Sequence, residues 1–110
     1  MDLKRQKVRP GVNLVHVEGS MDLYSVPELK EFIAEDPSPH VIFDLTRCDF
    51  IDSSGLGTLI YLKTHANPPC ESIALIHVSP RIKHLLELTN TILQFPVFAS
   101  LEAAMAELPR

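Results

Sequence analysis

The sequence has few of the residues that stabilise very small or secreted folds. Its 110 residues include two cysteines, Cys48 and Cys70, and no tryptophan. Two cysteines are too few for a disulfide framework, so a reducing cytoplasm is the simpler expectation. Two independent cores in so short a chain would each be marginal, and we therefore expect a single domain over residues 1–110.

Long apolar runs and an excess of basic charge are also missing. The longest apolar runs fall far short of the roughly 18 to 20 residues that a membrane helix needs, so we expect no direct membrane insertion. Residues 1–7 lack the apolar core of a secretory signal. Ten Lys and Arg against 14 Asp and Glu give a net charge of −4, which disfavours a nucleic-acid partner. The apolar fraction of 45% argues against disorder.

Hydrophobic patterning predicts strands that alternate with helices. The predicted strands cover residues 3–9, 12–18, 40–45, 72–78 and 96–99, and the predicted helices cover about 26–36, 53–65, 80–89 and 101–108. Pro10-Gly11 is a turn dipeptide that would join the first two strands as a hairpin. The order β-β-α-β-α-β-α-β-α predicts an α/β fold, in which a mostly parallel sheet carries an N-terminal antiparallel edge strand.

Several residues are expected to fix the helix ends. Ser25 and Glu28 have the spacing of a capping box, with Tyr24 and Leu29 at the positions of a hydrophobic staple. Ser79 precedes a proline at the first helical position, and Ser100 is placed to cap the last helix. Asn90 stands where a left-handed residue would end the third helix.

The segment from Asp52 to Gly57 follows a buried strand and opens a helix, which is the default position for a site in a parallel sheet. Gly55 and Gly57 would let another molecule approach the backbone closely. The simpler alternative is that a serine caps the helix and the glycines allow tight packing. The segment fits no dinucleotide fingerprint, P-loop or nucleophile elbow.

The same segment resembles the signature of a known family. Phe43-Asp44-Leu45, followed by residues 50–57, is similar to the STAS domain family, whose stand-alone bacterial members are anti-sigma factor antagonists. The likeness includes a Gly-x-x-Asp stretch at residues 19–22 and the junction at residues 79–82. Order and spacing match from about Val8 to Met105, so the resemblance implies a STAS-like sheet and a single STAS domain.

The resemblance implies a phosphorylation-controlled partner switch. Ser54 matches the serine that is phosphorylated in the family, and Asp22 matches an aspartate that lies beside it. The remaining residues of the implied partner-binding loop are Asp52, Ser53, Gly55, Leu56 and Gly57. A serine-kinase anti-sigma factor would bind the unphosphorylated form and free a sigma factor, and a serine phosphatase would restore the hydroxyl. The protein would then be a kinase substrate in the cytoplasm and not an enzyme.

Other residues carry more modest expectations. The five histidines are scattered without a metal-ligand spacing, so neither a metal nor a cofactor is expected. Cys48 reads as an ordinary partly buried thiol. Asp44 interrupts a buried strand, where we expect it to hydrogen-bond the loop backbone and hold the site. A small basic edge on the third helix could contact a partner, and it consists of Arg81, Lys83 and His84.

Three alternative functions remain open at this level. Within the same fold, the chain could be a non-catalytic STAS subunit of a stress-signalling complex or of a lipid-transport ATPase. A small enzyme using Ser54 is a second alternative, although no histidine stands nearby as a base. Nucleotide or lipid binding in a groove is the third. A monomer is expected, with a dimer as the alternative.

Overall fold

A five-stranded mixed sheet forms the framework of the molecule. The computed structural model describes residues 1–108. Its strands lie side by side in chain order: β1 (Asp2–Arg9), β2 (Val12–Glu18), β3 (His40–Arg47), β4 (Ser72–Ile76) and β5 (Val97–Phe98). β1 pairs antiparallel with β2, and the other neighbouring strands pair in parallel. This arrangement confirms the predicted α/β sheet with an antiparallel edge strand.

Four helices connect and cover the strands in the predicted order. They are α1 (Val26–Glu35), α2 (Ser53–Thr64), α3 (Pro80–Leu88) and α4 (Leu101–Ala106). Apolar side chains of α1, α2 and α3 share one core with Val15, Phe43 and Leu75 of the sheet. The opposite face of the sheet packs Leu14 and Ile42 against α4 in a second, smaller core. β3 is therefore buried on both faces over most of its length, as its continuous apolar run predicts.

The predicted ends of α3 and α4 are confirmed by their hydrogen bonds. The hydroxyl of Ser79 accepts from the Ile82 amide at 3.2 Å, and that of Ser100 accepts from the Ala103 amide at 3.1 Å. Asn90 has a φ of 59° just beyond α3, the left-handed conformation expected there. β4 ends two residues earlier than predicted, at Ile76, and the residue that follows it is itself left-handed.

The capping box and the staple predicted for α1 are wrong. Ser25 has a helical conformation and its side chain makes no capping bond, while Tyr24 is 91% exposed and cannot act as a staple. Asp22 organises the turn instead, because its Oδ1 accepts from the amides of Tyr24 and Ser25 at 3.0 Å each. An aspartate carboxylate readily bonds the backbone two residues further on, and here that turn replaces the serine cap.

No helix within residues 1–108 is both long enough and apolar enough to cross a membrane.

Candidate functional site

Two loops meet at the carboxyl edge of β2 and β3. Since these strands are parallel, the loop after β2 and the loop after β3 leave the sheet at the same edge. Backbone hydrogen bonds join the loops: the amide of Gly19 donates to Arg47 O, and the amide of Met21 donates to Phe50 O, each at 3.0 Å. An isolated bridge pairs Met21 with Ile51. The loops therefore form one continuous surface at the start of α2.

Asp52 caps α2 and also holds the neighbouring loop. Its Oδ1 accepts from the Gly55 amide at 3.0 Å, and its Oδ2 accepts from the Leu23 amide at 3.3 Å. The Asp52 amide donates to Met21 O at 3.2 Å. A carboxylate at this position satisfies a free helix amide and complements the positive end of the helix dipole. The alternative that a serine caps α2 is thus wrong, since the aspartate has taken that role.

Ser53 and Ser54 lie in the first turn of α2, one and two residues beyond the cap. Ser53 is exposed and Ser54 is half-buried. The carbonyl of Ser54 accepts from the Thr58 hydroxyl at 2.9 Å, but within the part of the chain that the structure describes neither serine hydroxyl has a hydrogen-bond partner. Both hydroxyls can therefore be modified without the loss of an existing interaction.

Gly55, Leu56 and Gly57 divide between the inside and the outside of the molecule. A Cβ on Gly55 would lie 2.5 Å from the carbonyl oxygen of Met21, so this glycine is required where α2 meets the neighbouring loop. Leu56 is only 7% exposed and belongs to the main core. A Cβ on Gly57 would meet nothing within 4 Å. Each of the two roles predicted for the glycines therefore fits one of them: Gly55 allows tight packing, and Gly57 leaves the backbone surface open.

Asp22 lies in the loop joined to the serine helix, but its carboxylate is engaged in its own turn. Besides the two amides that its Oδ1 accepts, the Asp22 amide donates to the Ser25 hydroxyl at 2.9 Å. The structure brings Asp22 and Asp52 together through this turn and the Leu23 amide. Asp22 therefore fixes the shape of the loop that bonds to the N-terminal end of α2.

A shallow apolar groove lies next to the serine loop. Its walls come from the β3–α2 loop and from α3, and they include Phe50, Ile82 and Leu88. Arg81 and His84 of the predicted basic edge line this groove opposite Asp49. Two of the three residues of the basic edge therefore lie at the groove beside the serine loop, whereas Lys83 does not line it.

Asp44 does not hold the site, contrary to the expectation from sequence. It lies on the opposite face of the sheet from the buried Phe43, because side chains alternate along a strand. Its carboxylate accepts from the Thr46 amide at 3.0 Å and pairs with His16 Nδ1 at 2.9 Å. Burial opposes its ionisation, but the hydrogen bonds from Thr46 and His16 outweigh burial and hold the pKa of Asp44 below its ordinary value.

Cys48 is buried behind the serine loop, with its sulfur 3.6 Å from Phe50 O. Burial raises the pKa of this thiol, which keeps it in the unreactive protonated form. Among residues 1–108, no group of three or more His, Cys, Asp and Glu side chains is placed to hold a metal ion.

Sequence reasoning missed Leu23 and Tyr24, which lie beside the site and are 62% and 91% exposed. The staple pattern pairs Tyr24 with Leu29, and it therefore predicted that Tyr24 would be buried. The available signal was Asp22, because an Asx turn starting there takes the next residues out of the helix and turns them to solvent.

Comparison with known proteins finds a matching family and a curated relative. Residues 4–104 match the model of the STAS domain. An anti-sigma-B factor antagonist of Staphylococcus aureus (strain NCTC 8325 / PS 47) is 32% identical over 79 residues, which cover 69% of this chain and 73% of that protein.

Two solved structures share the fold of this chain at lower sequence identity. An anti-sigma factor antagonist from Mycobacterium paratuberculosis is 23% identical, with a TM-score of 0.76 over 96% of this chain and 91% of that one. The phosphorylated form of the Bacillus cell fate determinant SpoIIAA is 18% identical, with a TM-score of 0.67 over 98% and 100%.

Proposed function

The chain belongs to the STAS domain family, and we propose that it is an anti-sigma factor antagonist controlled by phosphorylation of Ser54. In this proposal, the unphosphorylated form binds a serine-kinase anti-sigma factor in the cytoplasm and frees a sigma factor. The kinase phosphorylates Ser54 and is thereby released, and a serine phosphatase restores the hydroxyl. The chain itself needs no cofactor and catalyses no reaction.

The observation that carries this proposal is that the Ser54 hydroxyl has no hydrogen-bond partner among residues 1–108, at the start of a helix whose cap is already supplied by Asp52. A serine that was needed as a cap would be a poor phosphorylation site, because modification would cost a structural hydrogen bond. The curated relative in Staphylococcus aureus is named for the same antagonist role. That relationship favours a partner switch over a subunit of a transport complex.

The charges around Ser54 give phosphorylation a large local effect. A phosphate adds about −1.5 to −2 charges two residues beyond the carboxylate of Asp52, at the loop surface that also contains Asp22. A partner surface that fits a neutral hydroxyl would then face uncompensated negative charge, and such like-charge contacts cost several kcal/mol. Release would therefore follow from repulsion at the interface.

The fold itself should tolerate the phosphate. Ser54 lies in the first turn of α2, where the helix dipole stabilises negative charge by about 0.3–1 kcal/mol. Its hydroxyl makes no hydrogen bond that modification would break within residues 1–108. We therefore expect the phosphorylated and unmodified proteins to have the same circular dichroism spectrum and closely similar melting temperatures.

An enzymatic role for Ser54 is less consistent with the site. Nucleophilic serines need a base within hydrogen-bond reach, and the described part of the chain gives the Ser54 hydroxyl no such partner. The adjacent carboxylate of Asp52 is committed to two backbone amides. Generic ester and phosphate substrates should not be hydrolysed.

The proposal is tested by capture and phosphorylation experiments. Wild-type, Ser54→Asp and Ser54→Ala proteins would serve as baits in lysate of the native host. A serine kinase should be captured by wild type and by Ser54→Ala and lost with Ser54→Asp. The purified kinase with ATP should then phosphorylate wild type and Ser53→Ala, but not Ser54→Ala, with the site mapped by mass spectrometry.

Ser53→Ala is the matched control, since it removes the adjacent and more exposed hydroxyl of the same helical turn. Phosphate on Ser53, or capture of the same partners by wild type and Ser54→Asp, would show that Ser54 is not the switch. Capture of transporter subunits by all three baits would favour the alternative of a structural STAS subunit.

A further inference from the structure

Two adjacent exposed side chains form a tip beside the site. Leu23 and Tyr24 are 62% and 91% exposed, and both lie in the loop between β2 and α1. Tyrosine is among the residues that most often dominate binding energy at protein interfaces. An exposed leucine and tyrosine side by side therefore need an explanation that the fold itself does not supply.

The backbone of this tip is held by carboxylates of the proposed phosphorylation site. The Leu23 amide donates to Asp52 Oδ2 at 3.3 Å, and the Tyr24 amide donates to Asp22 Oδ1 at 3.0 Å. Asp22 Oδ1 also accepts from the Ser25 amide at 3.0 Å. Because the tip is ordered before binding, a partner would not have to meet the entropy cost of fixing it.

We propose that Leu23 and Tyr24 are the apolar anchor to which the anti-sigma factor binds. Asp52 fixes the position of this anchor relative to Ser54, because its carboxylate bonds both the Leu23 amide and the start of α2. This inference rests on the proposed function. Asp52 caps the helix that carries Ser54 and bonds the tip with its second oxygen. The partner would contact the anchor and Ser54 at the same time, because both lie on one continuous surface.

The surroundings of the tip define the chemistry of its partner. Tyr24 shares a surface depression with Asp22 and Glu28, and Asp52 contacts the Leu23 amide. An apolar centre with an acidic rim is complementary to an apolar socket rimmed by Lys or Arg. Such complementarity speeds encounter and fixes orientation. A kinase that binds phosphate groups would have basic side chains close to Ser54, and the same side chains could serve this rim.

A second copy of the chain is a poorer occupant. A symmetric contact between two tips would place Asp22 and Glu28 of one copy against the same residues of the other. The net charge of −4 adds to this repulsion. The tip is therefore suited to a different, more basic protein.

The test measures binding of full-length variants to the purified serine kinase that the wild-type chain captures, using isothermal titration calorimetry. Tyr24→Ser and Leu23→Ser should each weaken binding by about tenfold or more. Leu93→Ser is the matched control, since it truncates a leucine that is even more exposed (87%) than Leu23 (62%) and lies in the turn after α3. That variant should bind within about twofold of wild type. Circular dichroism should show that all three variants are folded.

A second measurement separates this inference from the proposed function. Ser54→Asp, in which Leu23 and Tyr24 are intact, should show no measurable binding to the same kinase in this titration. If Tyr24→Ser and Leu23→Ser bind like wild type while Ser54→Asp does not, the anchor is wrong and the switch stands. If wild type binds no kinase, both are wrong.

Analytical ultracentrifugation of the free chain tests whether a second copy of the chain binds the tip instead. Self-association of wild type that is lost in Tyr24→Ser, with kinase binding unchanged, would assign the tip to a second copy and overturn the proposal.

Discussion

Gly55 and Gly57 lie two residues apart on α2, and the structure predicts opposite effects when each is replaced by alanine. A Cβ on Gly55 would lie 2.5 Å from Met21 O and 2.8 Å from Ile51 Cγ2. A Cβ on Gly57 would meet no heavy atom within 4 Å. The two variants add the same methyl group to the same helix, so that only its surroundings differ.

The cost at Gly55 follows from what surrounds it. Met21 O cannot move away freely, because it accepts the hydrogen bond from the Asp52 amide at 3.2 Å. Over-packing costs about 1–3 kcal/mol, and a weakened hydrogen bond adds about 1 kcal/mol. The higher helix propensity of alanine offsets about 1 kcal/mol of this. We expect Gly55→Ala to lower the free energy of unfolding by about 2 kcal/mol.

Gly57→Ala should instead raise the free energy of unfolding by about 0.5–1 kcal/mol, because only the propensity difference acts there. Urea denaturation followed by circular dichroism measures both variants, and equal m-values would show that the comparison is sound. Gly55→Ala as stable as wild type would refute the close approach of α2 to Met21. Gly57→Ala as damaging as Gly55→Ala would refute the open surface.

Two further predictions concern positions away from α2. The lowered pKa of Asp44 means that its ionised form stabilises the fold at neutral pH, so Asp44→Asn should be less stable than wild type at pH 7. The difference in stability between the two proteins should become smaller as the pH falls below 3.8, the ordinary pKa of an aspartate, because the carboxylate is then protonated. A difference in melting temperature that stays constant between pH 7 and pH 2 would contradict this prediction. Asn90 has a φ of 59°, so Asn90→Ala should destabilise the protein by about 1 kcal/mol while Asn90→Gly should not. Equal stabilities of these two variants in urea would argue against the left-handed conformation.

Local signals in the sequence predicted the parts of the fold that depend on near neighbours. The hairpin at Pro10-Gly11 and the caps at Ser79 and Ser100 each involve residues within a few positions of one another. The pattern at Ser25 was equally local, yet it failed because Asp22 Oδ1 accepts from the Ser25 amide, which a capping box would pair with the Glu28 side chain. Asp22 and Ser25, three residues apart, can each hydrogen-bond the nearby backbone in turn geometries of similar energy, and sequence alone does not rank these geometries.

The candidate site was predicted from its position after a buried strand, but the roles of its residues depend on contacts across the fold. Asp44 could have been excluded from the site by strand alternation, since Phe43 and Leu45 point into the main core and Asp44 must point away from it. The different roles of Gly55 and Gly57 could not have been predicted, because they depend on Met21 in a separate loop.

In the first two turns of α2, the residues that stabilise the fold point inward, and the residues available to a partner point outward. Gly55 and Leu56 face inward and fix the helix against the Met21 loop and the core. Ser53 and Gly57 are exposed, and the half-buried Ser54 keeps a free hydroxyl among residues 1–108. Because 3.6 residues make one turn, a phosphate on Ser54 would alter the outward surface without entering the packed one. This division would allow the proposed charge switch at Ser54 to act on a partner while the fold stays the same.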